Sequence, residues 1–294
     1  MKHCGSCAQL FEADGWRCSH CGHEPPRKSG FVQLAPDFRR ETIGFQAEFF
    51  EQLAALEPSN FWFKTRNRLL AWALRAYFPQ ARSLLEIGCG TGFVLMGLRA
   101  AFPSLKLVGS EVLSEGLQFA ARRVPDAELV QMDATRIPYA DEFDVVGAFD
   151  MLEHIEEDEA VLKQMFRAVK PGGGVIVTVP QHKFLWSRVD ELSGHVRRYT
   201  RRQLRDKVEA AGFQIERITS FAFLPLPLMY VARLSKRTEV RDLRAELRIG
   251  GVTNAFLEAL LRMECVCIRA GVSLPVGGSL LLIARRPAVQ TRRE

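Results

Sequence analysis

The chain has 294 residues, 47% hydrophobic and 25% charged, with a formal net charge of +6. That profile belongs to a globular protein with a full core, one large domain or one domain with appendages. It excludes a membrane-embedded chain, because no run approaches the roughly 18 apolar residues of a span. The mild positive charge permits anionic partners without requiring one. "MKHCGSC" has no apolar stretch behind it, so no export signal is expected. Seven cysteines in such a chain point to metal binding or free thiols and not to disulfides. The expected location is the cytoplasm.

The first element is "HCGSCAQLFEADGWRCSHCG". It sets Cys4 and Cys7, then Cys18 and Cys21, as two C-x-x-C pairs. Each pair makes a tight knuckle whose thiolates can converge on one tetrahedral zinc. Gly5 and Gly22 suit those turns, and Asp14-Gly15 reads as the turn of a hairpin between the pairs. The span is too short for its own core, so the metal would supply the folding energy. Four sulfur ligands leave no open position, which makes the site structural; His3, His20 and His23 are spare ligands nearby, so the coordination could vary. The segment resembles a zinc ribbon, with module boundaries at residues 1–24.

"EPPRKSG", Glu24 to Gly30, reads as a linker. Helical periodicity follows over Phe45 to Leu56 and Thr65 to Phe78, separated by Pro58 and ended by Pro79. This stretch, 25–80, is expected to pack on the main domain or to cover a cleft as a lid. From Ser83, strands and helices alternate through "SLLEIG", "FVLMGLRAAF", "LKLVGSE", "SEGLQFAARRV", "AELVQMD", "FDVVGAFD", "DEAVLKQMFRAV" and "GGGVIVTVP". That order implies a parallel sheet with helices on both faces, and ligands bind such sheets beyond the carboxyl ends of the strands.

There the sequence places "LLEIGCGTGF". Glu86 ends the first strand, and Gly88, Gly90 and Gly92 turn into the first helix, where side chains would block a ligand. A dinucleotide fingerprint needs glycine where Phe93 stands, and a P-loop needs a lysine that is absent. The spacing E-x-G-x-G-x-G resembles motif I of the class I S-adenosylmethionine-dependent methyltransferases. The likeness runs from about residue 62 to 287. It implies a Rossmann-like, seven-stranded, mostly parallel sheet over 81–287. A helical insertion at about 221–273 precedes the last strand, "GFQIERITSF" and "GSLLLIARRP" form an antiparallel edge pair, and 288–294 is a tail.

The resemblance also implies roles. S-adenosylmethionine would contact Glu86, Gly88, Cys89, Gly90 and Gly92. Glu111, with Val112 beside it, would hold the ribose about 20 residues past the turn. Asp133 and Ala134 would lie near the adenine, and Asp150 and Leu152 would lie at the end of strand four. The segment "WSRVDELSGHVRRYT" resembles a subgroup acting on small-molecule, glycan or lipid-linked acceptors. His195 is the first candidate general base, since its reference pKa near 6.5 suits proton removal near neutrality. Asp190 could orient it, His154 is a second candidate base, and Tyr199 lies in the same segment. Alternatively, His195 caps the helix after Thr200. Arg197, Arg198, Arg201 and Arg202 form either a solvated face or a grip on an anionic acceptor. The insertion is expected to be a helical subdomain or a peripheral contact with the inner membrane face.

A second function class is RNA methylation, because some ribosomal RNA guanine methyltransferases carry an N-terminal zinc module. Against it, "DMLEH" stands where amino-group methyltransferases carry Asp/Asn-Pro-Pro-aromatic, and Cys89 lies inside the glycine turn. A third is a scaffold with a vestigial cofactor fold, which the intact Glu86, glycine and Glu111 set argues against.

Overall fold

In this computed structural model, residues 1–38, 47–234 and 249–288 are described. The expected helix start at Phe45, the middle of the insertion and the tail from 289 lie outside them.

The N-terminal module contains β1 (Lys2–His3) and β2 (Leu10–Phe11), paired antiparallel. The hairpin therefore spans the first knuckle. Asp14 and Gly15 form a bend between the pairs, where the sequence suggested a hairpin turn. Next come β3 (Arg27–Lys28) and β4 (Phe31–Gln33). These form a second hairpin in the stretch expected to be a linker. Leu34 donates its N–H to the Gln131 carbonyl, and Val32 and Gln33, both buried, pair in parallel with Val130 and Gln131 at the domain edge.

The main domain follows in chain order: α1 (Phe49–Leu56), α2 (Phe61–Tyr77), β5 (Ser83–Ile87), α3 (Phe93–Ala101), β6 (Lys106–Glu111), α4 (Ser114–Arg123), β7 (Glu128–Gln131) and β8 (Phe143–Phe149). Then come α5 (Asp158–Ala168), β9 (Val169–Pro180), α6 (Arg188–Leu192), α7 (Arg201–Ala210), β10 (Gln214–Phe221), α8 (Leu226–Leu234), α9 (Gly251–Arg269) and β11 (Ser279–Arg285). Nine strands make one sheet in the order β10-β11-β9-β8-β5-β6-β7-β4-β3. The seven from β10 to β7 are the expected sheet, in which β11 runs antiparallel to both neighbours. The added pair β4 and β3 extends it beyond β7.

Apolar residues on both sides of each central strand produce two cores. Leu85, Val146 and Leu282 join one with Leu162, Met165 and Leu204 from α5 and α7. Leu84, Val145 and Leu281 join the other with Leu70, Leu98, Leu117 and Leu261 from α2, α3, α4 and α9. Such alternation is what a strand buried on both faces requires. Helix α2 begins at Asn60, whose side chain accepts the Trp62 N–H at 2.9 Å. It is tied to α9 by Glu258, which binds Lys64 and Arg68. The buried Leu69, Leu70 and Ala73 fix its second half to the sheet, and its first half, from Phe61 to Arg66, is left over the strand ends.

Candidate active site

The carboxyl ends of β5, β6 and β8 open into one cavity of about 1880 Å³. Glu86, Gly88, Cys89, Gly90, Glu111, Val112, Asp133, Ala134 and Asp150 line one part of it, and His154, Trp186 and His195 line another. The glycine turn is fastened from several sides. Cys89 donates its N–H to the Ser110 carbonyl at 2.8 Å. Glu111 accepts N–H bonds from Gly90 at 3.1 Å, Val112 at 2.9 Å and Leu113 at 3.1 Å. Arg123 ion-pairs with Glu57, and both bond Thr91. The backbone around the turn is thus set before any ligand arrives.

Burial in this wall raises the Glu111 carboxyl pKa, and its three backbone N–H partners oppose the rise. Glu86 is 2% exposed and shifted further upward by burial, with Arg66 opposing and Glu57 and Glu111 adding to the rise. One Glu86 oxygen has no hydrogen-bond partner. A buried orphan carboxylate beside an open glycine turn fits a ligand carrying an ammonium and ribose hydroxyls. Gly90 has a φ of +51°, and a Cβ there would meet only the Phe50 ring, at 3.7 Å. Asp150 pairs with Arg66 at 2.7 Å and accepts from Thr178 at 3.0 Å. Asp133 is committed to its own loop through Thr135 and Arg136.

Three expected site residues lie elsewhere. Gly92 is at the helix start with φ +74°, and a Cβ would lie 2.7 Å from the Ala120 Cα. Its glycine therefore serves the close approach of α3 and α4. Leu152 is fully buried in the α5–α7 core. Tyr199 is 1% exposed and donates its hydroxyl to Asp158 at 2.6 Å. That bond and burial push its phenol pKa far up. None of the three lines the cavity, and neither does Asp190, which is fully buried behind His195.

The acceptor wall is built around Asp190. Its buried carboxylate accepts from His195 Nδ1 at 2.8 Å, Arg198 Nε at 2.7 Å and Nη2 at 2.9 Å, and the Ser187 N–H at 2.7 Å. Burial opposes its charge, yet His195 and Arg198 hold the carboxyl well below its usual range. A carboxylate only accepts, so Nδ1 of His195 carries the proton and Nε2 is turned away from Asp190. Nε2 lies 3.9 Å from Glu153 Oε1. His154 packs edge-on against His195 with ring centres 4.7 Å apart. Burial, with His195 nearby, lowers its pKa to about 3, so its ring stays neutral. Glu153 is 1% exposed, its carboxyl is raised by burial and by Asp150, and neither oxygen has a hydrogen-bond partner.

Helix α7 is capped by Thr200 with Gln203, so His195 has no capping role. The arginine run divides: Arg197 pairs with Asp158, Arg198 with Asp190, Arg201 bonds the Ile218 and Leu274 carbonyls, and Arg202 is exposed beside Asp206. Sequence reading did not single out Arg66, Glu57, Thr91 or Arg123, and it left Glu153 without a role. The signal for Arg66 was its spacing one turn after Trp62 and Phe63, over which its guanidinium lies at 4.7 and 5.5 Å.

In the N-terminal module the Cys4 and Cys21 sulfurs are 3.6 Å apart and those of Cys7 and Cys18 are 3.8 Å apart. Four sulfurs about 2.3 Å from one zinc would be about 3.8 Å apart, so the set fits a tetrahedral ion. The Ser6 and His20 N–H groups point at sulfur, as a thiolate site requires. The module is joined to the main domain: His3 donates its N–H to the Pro138 carbonyl, and Trp16 meets the Tyr139 ring edge-on and donates to Glu128. Ala35 and Gln131 exchange two bonds, and Gln131 also reaches the Val112 carbonyl. Cys18→Ser should lower bound zinc from about one equivalent to near none and weaken cofactor binding several-fold. Metal analysis and calorimetry on the same sample check both.

A methyltransferase-domain family matches residues 51–218. The chain is 29% identical over 110 residues to trans-aconitate 2-methyltransferase of Variovorax paradoxus, covering 37% of this chain and 42% of that protein. It is 27% identical over 183 residues to malonyl-[acyl-carrier protein] O-methyltransferase of Methylococcus capsulatus, covering 58% and 64%. The chain thus spans under two thirds of the length of these curated relatives. Phosphoethanolamine N-methyltransferase 2 of Haemonchus contortus, solved with S-adenosyl-L-methionine, superposes with TM-score 0.50 at 21% identity, covering 75% of this chain and 52% of that one. That likeness concerns the fold. With the family match over more than half its length, the glycine turn under Glu111 and the seven-stranded sheet, the chain belongs to the class I S-adenosylmethionine-dependent methyltransferases and carries an N-terminal zinc-ribbon-like module.

Proposed function

We propose that this protein transfers a methyl group from S-adenosylmethionine to an oxygen or nitrogen of a small-molecule or glycan-type acceptor, including one linked to a lipid. The observation that carries the reading is the continuity of one cavity from the glycine turn to the Glu153–His154–His195 cluster. The cofactor's sulfonium makes its methyl carbon electrophilic. The protein's task is to align a nucleophile with the S–CH₃ bond and exclude water. The new O–C or N–C bond forms as the C–S bond breaks, and the electron pair stays on sulfur. The acceptor's proton is removed at the cluster, and its removal depends on His195, which Asp190 holds in one tautomer.

Relatives that act on trans-aconitate and on malonyl-acyl carrier protein support a small acceptor. An apolar rim supports one with an apolar portion. Leu228 lines the cavity while 56% exposed, and Phe184 and Tyr230 meet beside it. No helix among the described residues is long and apolar enough to cross a membrane, so any contact with a lipid-linked acceptor is peripheral. The zinc module packs against the protein's own sheet, which accounts for it without a nucleic acid partner. His195→Gln should lower methyl transfer about 100-fold or more while cofactor affinity stays within twofold. Labelled cofactor incubated with small-molecule, glycan and RNA fractions tests the acceptor class. Transfer to RNA alone would overturn the reading.

A further inference from the structure

Two histidines and a glutamate converge where the cavity passes from the cofactor end to the acceptor end. One ligand atom from each of Glu153, His154 and His195 lies within 4.8 Å of the others. All three residues line the cavity. Asp150 is paired with Arg66 and Asp190 with Arg198, which leaves Glu153 as the acid of this group with no ionic partner nearer than His195 Nε2 at 3.9 Å. Glu153 is 1% exposed and faces the cavity, yet both its oxygens lack a hydrogen-bond donor. Buried carboxylates are ordinarily paired or bound to metal. His195 has its Nδ1–H fixed on a buried carboxylate, the arrangement that orients metal-bound imidazoles.

We infer that Glu153, His154 and His195 form a binding site for a first-row divalent cation, separate from the four-cysteine site, with open positions facing the acceptor. Two imidazoles and a carboxylate favour manganese, iron, cobalt or zinc over calcium. Ligand atoms about 2.1 Å from one ion at tetrahedral or octahedral angles are about 3.0–3.4 Å apart, so binding would draw the three side chains together from separations that reach no more than 4.8 Å. The role rests on the methyl-transfer reading above. An acceptor hydroxyl bound to the cation would have a lowered pKa and would lose its proton to water, with His195 acting as ligand.

The test is titration of the whole chain, its zinc counted beforehand, with Co²⁺ and with Mn²⁺. Co²⁺ at a nitrogen–oxygen site gives visible bands without the near-ultraviolet thiolate charge transfer of a four-sulfur site. Bound Mn²⁺ is counted by the loss of its free-ion electron paramagnetic resonance signal. One ion per chain beyond the cysteine-bound metal is expected, with affinity falling at least 30-fold in Glu153→Gln. Gln keeps the shape of a side chain that makes no hydrogen bond here, and a thermal melt confirms folding. His195→Gln is the second variant, with the same loss expected. No uptake beyond the cysteine site, or uptake by both variants with the affinity of the unaltered protein, would overturn the inference. Cofactor calorimetry run in parallel keeps the two readings apart: failure to bind S-adenosylmethionine sinks the methyl-transfer reading and leaves the cation count standing.

Discussion

Glu111→Ala should raise the dissociation constant for S-adenosylmethionine about 100-fold. The carboxylate holds the Gly90, Val112 and Leu113 N–H groups at 2.9–3.1 Å, and in the proposed reading it would also receive the ribose hydroxyls. Hydrogen bonds to a charged group contribute about 1.5–3 kcal/mol each, and two of them correspond to about a hundredfold. Removing it also strands backbone donors in a buried wall, so the melting temperature should drop by a few degrees. Glu111→Gln keeps the shape and loses the charge, and its affinity should fall about tenfold. Isothermal calorimetry decides the matter. Unchanged affinity in Glu111→Ala would remove the cofactor site from this end of the sheet.

The second large effect is at Asp190. Asp190→Ala leaves the Arg198 guanidinium, 7% exposed in its side chain, without its partner. It also frees His195 to rotate. Breaking a buried pair on one side costs about 3–5 kcal/mol, so urea unfolding should shift by that amount and methyl transfer should fall along with it. Asp190→Asn separates the two consequences, because it keeps the shape while letting His195 change tautomer. The pH dependence follows from the depressed carboxyl pKa. The stabilisation is fully present above the unfolded-state value of about 3.9 and is lost as pH falls toward the lower folded value. The stability gap between wild type and Asp190→Asn should therefore narrow below about pH 4.

The parts of this fold that were readable had local causes. Strand and helix periodicity, the glycine turn and the two cysteine pairs each carry their signal within a few residues. What was missed depends on distant partners. The Phe31–Gln33 strand is too short to show a period, and Pro25, Pro26 and Gly30 made its surroundings look like a linker; only pairing with β7 defines it. Tyr199 stands next to His195 and Arg198 in the chain, and its direction is set by Asp158, 41 residues away. Gly92 carried the right signal for the wrong reason, since the neighbour it admits is Ala120 on α4. Arg66 reaches the cleft from α2, within the Phe61–Arg68 stretch that resembles the family's N-terminal helix, and Glu57 reaches it from the end of α1, outside every motif. Asp190 and His195, five residues apart, are close enough along the chain for sequence to suggest the contact that joins them.

The strand β4 has a consequence for where this protein can be cut. The family match begins at residue 51, which invites a shortened chain without the N-terminal module. Such a chain would leave the Glu128–Gln131 strand with a bare row of amide and carbonyl groups where Val32 and Gln33 now pair. It would also strip the cover from Tyr139. Open strand edges recruit other strands, so the shortened protein should self-associate. The evolutionary unit and the folding unit of this chain begin at different residues.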